Sequence, residues 1–470
     1  MHRLDRRRRR LLAFGGGGLA AWVVLSLVTA VAAAEAPAKR AMTLPEALAY
    51  ARVHQPSLQS ALARVAAAAA DTRVPRAQWL PAFGATAQAI EGTTNNSTAS
   101  YLGVAEVALP RIGGTPATST GTFRPSTSTL VAVGGNQEVF DFGRIAAQAA
   151  VADVTYEAEK HRADAERLRI DLVVKDAFFG VQAARAVLVA ATEAFARAGV
   201  HRDMAAAEVK TGLHAPIELT RAEADLSRFD VARVRAAGGL ASAQSVFAAA
   251  VGVEDLMLDA AGAALPQRPL PPVDAGLRMA AARDPALLEA RSRAQAAEGR
   301  TRAIAAELRP DIALTGAFSG RAGTATPSSG ALSPDYGPLP AVANWDVGLV
   351  LRWPLFDPIV VARRDAAAAH AAVARADVAV LAQQQTAVVQ QAYVTAQVTQ
   401  GALVALRRSV EAAHANYAQA EARFKAGLGT SLELADAESV RTDAEIQLAL
   451  GEYDVQRARA ALARLLAEDD

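Results

Sequence analysis

Cysteine is absent from this chain of 470 residues. That removes disulfide frameworks, thiolate nucleophiles, cysteine-bound zinc and a lipidated N-terminal cysteine. Histidine is scarce: seven residues with no pair at i,i+4 spacing, so no helical metal site is spelled out. The methionines do not cluster, so no soft-metal relay for copper or silver is marked. The formal net charge is only +1, which excludes the strong positive field of a nucleic-acid binder. Aromatic residues make up 5%. No nucleophile–base arrangement is visible, so the sequence points to no catalytic site, no cofactor and no enzyme.

What is present favours helix. Hydrophobic residues reach 52%, and about a quarter of the chain is alanine, the best helix former. The chain is too apolar and too weakly charged to be disordered. Length alone suggests about three domains.

The first 34 residues have their own pattern. Arg3 and Arg6 to Arg10 form a basic segment, Leu11 to Val31 is apolar, and Ala32-Ala33-Ala34 offers a small-residue cleavage site. This reads as a secretory signal peptide over residues 1–34. A retained anchor is disfavoured because Gly15 to Gly18 interrupt the apolar run. The arginine run is then an address and not a nucleic-acid patch. No later apolar run reaches 18 residues, so no transmembrane helix follows.

The rest is expected to be a tandem duplication. Pro56 to Pro81 and Pro285 to Pro310 have equal spacing, and each frames an alanine-rich stretch. Val139-Phe140-Asp141 matches Leu355-Phe356-Asp357. Lys210-Thr211-Gly212-Leu213 matches Lys425-Ala426-Gly427-Leu428, and Glu218-Leu219 matches Glu433-Leu434, both at an offset of 215. Two repeats, 35–265 and 266–470, share one plan: helix, strand pair, long helix, Gly turn, helix.

Arg144 to Val209 and Ala362 to Phe424 lack proline and carry apolar residues at helical spacing. At 1.5 Å per residue they are about 100 and 95 Å long. Shorter helices are expected over Glu46 to Trp79, Ile217 to Val251, Ala286 to Arg309 and Ser431 to Ala467. Pairs of these, stacked end to end, match one long helix. A plain coiled coil would also satisfy the rods.

The strands argue against a plain rod. In Asn344 to Phe356 every odd position is apolar, from Trp345 to Leu355, and the even ones are mostly small or polar. This is a strand with one apolar face. Trp345 and Trp353 lie about 26 Å apart at strand rise. That is close to the apolar band of an outer-membrane barrel and its aromatic girdles. Strands are expected at about 82–91, 129–140, 311–320 and 344–356. Gly92 to Ser128 and Arg321 to Ala341 read as long loops. Four strands cannot close a barrel, and an open edge cannot face lipid, so the sheet needs strands from other copies. Two copies would supply eight and three would supply twelve; periodicity does not choose.

With these features in place, residues 43–467 resemble the TolC-like outer-membrane efflux and secretion channel family. The resemblance rests on the duplication, the Phe-Asp turns (Phe140-Asp141-Phe142-Gly143-Arg144 and Phe356-Asp357-Pro358) and the two Gly turns. It implies a mostly α fold that also contains a β-barrel. Four strands per chain would make twelve in a homotrimer, continued by a long α-helical barrel in the periplasm. It implies the outer membrane of a Gram-negative bacterium, contact with its lipid, and a passive exit duct in a tripartite efflux pump or type I secretion system. The implied partners are a periplasmic adaptor (membrane fusion) protein and an inner-membrane pump, with no nucleic acid. Gly212, Leu213, Gly427 and Leu428 would form the adaptor-docking tip, and Glu218, Glu433 and Asp436 the pore gate. Trp345 and Trp353 keep their reading as membrane girdle.

Each of these has a simpler structural account. The glycines suit helix C-caps. Thr430-Ser431-Leu432-Glu433 is a capping box, as is Thr43-Leu44-Pro45-Glu46, and Glu218 follows Pro216 at the helix start. Pro358 and Gly429 depart from the family pattern. Asp357 can cap the helix ahead of Pro358, whereas Gly429 replaces the arginine that locks the gate in the best-known member. The contrasting expectation for the whole chain is a soluble periplasmic coiled-coil structural or adaptor protein.

Overall fold

The computed structural model describes residues 41–92, 125–212, 215–253, 258–262, 269–323, 342–426 and 428–467. The leader and most of both long loops lie outside them. In chain order the elements are β1 (Ala41–Met42), α1 (Leu44–His54), α2 (Pro56–Asp71), α3 (Arg73–Ala77), β2 (Ala82–Gly92), β3 (Ser126–Phe140), α4 (Arg144–Lys210) and α5 (Pro216–Val251). Then come β4 (Asp259–Ala260), α6 (Val273–Arg283), α7 (Pro285–Ala306), β5 (Asp311–Gly323), β6 (Val342–Arg352), α8 (Pro358–Lys425) and α9 (Ser431–Leu465).

The two halves run in parallel. α4 and α8 have 67 and 68 residues, and α5 and α9 have 36 and 35. The long helices therefore extend about 100 Å each. α4 is flanked by α5 and α9 towards one end and by α2 and α7 towards the other; α8 packs on α9, α7 and α6. The expected end-to-end stacking is what lets one rod face two shorter helices.

The starts of the rods are capped by the Phe-Asp turns. Asp141 is buried and accepts hydrogen bonds from the backbone N–H of Gly143 (3.0 Å) and Ile145. Phe142 and Gly143 take φ of +52° and +90° to make that turn. Asp357 accepts from Ile359 N at 2.8 Å and Val360 N at 3.3 Å, with Pro358 in the first turn. The cap satisfies N–H groups that the helix leaves orphaned, and Pro358 has none to satisfy.

Two expectations on helix extent are corrected. Residues 46–79 do not form one helix: the chain breaks at Gln55 (φ −67°, ψ 119°) and again near Thr72. Pro56 lacks an N–H and pushes the preceding residue out of helical geometry. In the second half α6 precedes α7, separated at Asp284, whose side chain caps Ala286 N at 2.8 Å. That helix was not expected.

The sheet is antiparallel with order β2-β3-β5-β6. A bulge between Glu138 and Phe140 interrupts the β3–β5 register. The strand expected to reach residue 356 stops at Arg352, which pairs with Asp311. Trp353 therefore lies just past the strand, where Pro310 and Pro354 flank the end of the ladder and cannot donate to it.

The largest core joins α1, α4 and α5 around Phe178, Phe179 and Phe247, closed by the parallel pair β1–β4. A second gathers Val389, Tyr393 and Leu462 between α6, α8 and α9. Full burial of a side chain such as Phe247 contributes about 2–3 kcal/mol. Elsewhere Ala194 and Ala198 of α4 pack against Phe229 of α5.

Candidate functional sites: the sheet face and the helix tips

Side chains alternate across the strands, so the register sorts the sheet into two faces. One face carries Phe83, Phe318, Trp345, Val347, Leu349 and Leu351, all exposed, with Trp345 at 73% and Leu349 at 70%. The other carries Ala132, Ala313, Ala317 and Ser319, all buried, with Thr315 and Asp346 half-buried. A soluble sheet does the reverse. Apart from buried Leu130 and exposed Val350 on the second face, large apolar groups here point into the open, and small or polar groups line the sheltered side.

At the helix end of the sheet, exposed aromatic residues cluster. Trp353 is joined by Trp79, Phe140, Phe142 and Phe356, and Phe140 meets Phe142 edge to face at 4.6 Å. Trp345 lies further along β6, opposite Phe318. Only the two tryptophans were legible in advance. Phe140 ends β3 and Phe356 closes the stretch expected to be a strand, whereas Trp79 and Phe142 sit on turns, where no alternation marks a face. Glu138 also emerged only from the fold: it lies 3.5 Å from Arg144 and 3.7 Å from Arg352, which also pairs with Asp311 at 2.8 Å.

The far ends of the rods carry the tip residues. Gly212 takes φ +77°, a conformation strained for any residue with a Cβ. Leu213 and Gly427 lie outside the described residues. Leu428 is 74% exposed, and its N–H donates to Arg423 O at 2.9 Å. Gly429 sits against the turn: an added Cβ would be 3.2 Å from Phe424 N. The close approach of backbone accounts for glycine at that position.

The three tip acids occupy different settings. Glu218, in the first turn of α5, pairs with Arg221 at 3.1 Å and accepts a hydrogen bond from the Ser431 hydroxyl at the start of α9. Glu433 is exposed and 3.9 Å from Arg423; its N–H donates to Thr430 Oγ1 at 3.2 Å, the capping bond expected of Thr430. Asp436 is exposed one turn along α9. At i,i+3 spacing, Glu433 and Asp436 are neighbours on the helix surface. At the other capping box, Thr43 N and Oγ1 both donate to Glu46, at 2.9 and 2.8 Å.

Behind the tips lies a partly buried polar network, centred on the buried Glu438, that sequence reasoning missed. Arg197 of α4 donates to Glu438 of α9 at 2.8 Å, and Glu438 is 1% exposed. Arg197 also lies 3.7 Å from Glu445, which accepts from Arg441 at 3.0 Å and pairs with His414 of α8 at 2.7 Å. Thr442 donates to Glu438 at 3.2 Å. His201 of α4 meets the Tyr417 hydroxyl of α8 at 3.0 Å. Burial pushes the Glu438 carboxyl up, against the pull of Arg197. Burial likewise holds His201 below the usual imidazole range and lifts Tyr417 to about 12.

Among the described residues no group of three or more His, Asp or Glu could hold a metal ion. Nor is any described helix long and apolar enough to cross a membrane, which says nothing of a β-barrel.

A family model described as outer membrane efflux protein matches residues 47–253 and 276–468. No curated protein matches the chain. Among solved structures, the outer-membrane channel OprN is 22% identical, with a TM-score of 0.73 over 91% of this chain and 90% of that one. The outer membrane protein VceC from Vibrio cholerae is 19% identical, with a TM-score of 0.69 over 90% of this chain and 95% of its own. The open state of the Neisseria gonorrhoeae MtrE outer membrane channel is 20% identical, with a TM-score of 0.68 over 90% and 88%.

Proposed function

The chain belongs to the outer membrane efflux protein family, an exit duct of the outer membrane, and from that premise we propose that it works as a homotrimer. Three copies of the four-stranded sheet would close one twelve-stranded barrel. Their helices would continue it as a passive α-helical duct through the periplasm.

The observation that carries this reading is the inverted polarity of the sheet. Leu349, Val347 and Trp345 on one face suit lipid, and Thr315 and Asp346 on the other suit a wet pore. The edges of β2 and β6, unpaired among the described residues, support closure of the sheet with further copies. Unpaired backbone groups are not tolerated in lipid, and β2 of one copy can pair with β6 of the next. Trp345 would lie in one aromatic girdle, and Trp353 with Trp79, Phe140, Phe142 and Phe356 in the other.

The tips at Gly212, Leu213, Gly427 and Leu428 dock a periplasmic adaptor. Leu428 and Leu432, four residues apart and 74% and 67% exposed, together leave apolar surface at the second tip that favours a partner. An inner-membrane pump supplies the energy, so the duct needs no catalytic cycle and no cofactor. Glu218, Glu433 and Asp436, repeated about a three-fold axis, form acidic rings that favour cations. Opening is an iris-like shift of the helices near the two Gly turns.

The test is fractionation of cells expressing the full chain, followed by sizing of the detergent-extracted particle. A trimer extracted from the outer membrane is expected. A soluble periplasmic monomer would overturn the proposal.

A further inference from the structure

α8 carries two stripes at one spacing. Val389, Ala396, Tyr417 and Phe424 lie at multiples of seven and are buried in the clusters shared with α9. The other stripe is uncovered. Every seventh residue from Ile359, through Val373, Val380 and Val394, to Gly401 is apolar or glycine, and each is exposed. The row three residues on, Ala362 to Val404, is alanine, glutamine or valine throughout and is exposed too. Two such rows are the seam of a coiled coil. A straight helix drifts about 20° per heptad against this repeat, so the stripe calls for a partner that α8 winds around. α5 has a shorter stripe of the same kind. Phe229 and Phe247 pack on α4, and every seventh residue on the opposite side is exposed: Ile217, Ala224, Val231, Gly238 and Ser245. Further from the tip, Leu62 of α2 and Val74 of α3 are also exposed.

Glycines mark both stripes. Alanine is the better helix former inside a helix. Yet Gly238 and Gly401 sit in helix interiors where an added Cβ would meet nothing within 4 Å. Packing within the chain does not call for them. By helix rise they lie about 33 and 36 Å above the tip ends of α5 and α8. Two glycines at one height, on two uncovered stripes, suit a second backbone coming close.

Topology says whose backbone it is. β2 and β6 are the edges of the sheet. β6 runs on into α8, whereas α2 and α3 lead into β2. If β6 pairs with β2 of the next copy, α8 must descend beside α2 and then α5 of that copy. Charge agrees. Glu411, next after Val404 in the second row, is exposed and pairs with no cation among the described residues. It lies about 21 Å above the tip, between exposed Arg228 and Arg235 of α5 at about 18 and 29 Å. We propose that the boundary between copies is a two-helix seam: α8 of one copy packs along α2 and α5 of the next, and Gly401 crosses Gly238 at the closest approach. This rests on the reading of the chain as a trimer closed through β2 and β6.

The chain has no cysteine, so two introduced thiols report a single contact. In the full-length protein, Ser245→Cys with Val394→Cys places thiols on the two stripes about 44 and 47 Å above the tip. Oxidation should join copies into covalent dimers and trimers. Val404→Cys with Val189→Cys, at equal height but on α8 and α4, should leave single chains. Linking in the second pair overturns the seam. So does its absence in the first pair within a particle that still sizes as a trimer, and the trimer reading then stands. A particle that is not a trimer overturns both. Gly238→Leu, whose side chain has open space within the chain, should lower the yield of trimer at least tenfold. Trimer at the wild-type yield overturns the crossing at Gly401.

Discussion

Glu218 accepts a hydrogen bond from Ser431, 213 residues away, and so ties the first turn of α5 to the first turn of α9. Each sits just past a tip turn, and the contact is a direct side-chain link between the two halves there. Glu218→Ala or Ser431→Ala should therefore loosen the tip with little effect on the fold. Thermal stability should change by less than about 1 kcal/mol, as for other partly exposed polar contacts. Basal conductance in a planar bilayer should rise severalfold. Unchanged conductance in both variants would remove this contact from the gate.

Glu433 and Asp436 are exposed, and the capping bond at the start of α9 comes from Thr430 and not from Glu433. Replacing both acids with alanine should cost only the helix-dipole contribution, about 0.3–1 kcal/mol at Glu433 in the first turn and less at Asp436 a turn further in. Cation preference and block by divalent ions should both fall. A current record with selectivity and block intact would show that these acids only stabilise the helix.

The two faces of the sheet make opposite predictions for one substitution. Leu349→Arg places a charge on the apolar face, where lipid makes it cost about 2–4 kcal/mol near the bilayer midplane. Outer-membrane trimer should drop sharply. Thr315→Arg, one strand away on the polar face, should assemble and instead reduce conductance to cations. Equal assembly of the two variants would argue that neither face meets lipid.

His201 supplies a pH signature. Burial lowers its folded pKa, opposed by Glu421 and aided by Lys425 and Arg197. A base held neutral adds stability that is fully present above its ordinary value of 6.5 and is lost as pH falls through the lowered folded value. Glu438 works in the opposite sense: its raised pKa gives stability present below 4.5 and lost as pH rises through the raised value. Comparing wild type with His201→Gln isolates the imidazole. The wild type should lose melting temperature relative to the variant as pH drops below 6.5. Parallel curves would mean that His201 takes up its proton alike in the folded and unfolded chain, and so is not shielded from solvent in the trimer.

The rods, their capped starts and the alternation of Asn344 to Phe356 were legible in the residues. Each depends on neighbours within a few positions: missing prolines, helical spacing, a Phe-Asp turn, period-two side chains. The break at Gln55 is also written there, in Pro56, which opens the alanine-rich stretch and disfavours helical geometry at the residue before it. The end of β6 at Arg352 needed its partner, since a ladder stops where the opposite strand begins at Asp311.

The pairings Arg197–Glu438 and Glu218–Ser431 belong to another level. Their partners are 241 and 213 residues apart. Each helical residue turns the side chain by about 100°. Which face of a rod some 100 Å long meets its neighbour is set by the summed packing of the whole rod, and no local pattern encodes it. The sequence by itself determined that this chain builds long helices and an apolar-faced sheet, because those choices are made by local stereochemistry. Tertiary structure alone decided which polar groups meet between the hairpins, because that requires helix phase and strand register to be settled over the full length of the molecule.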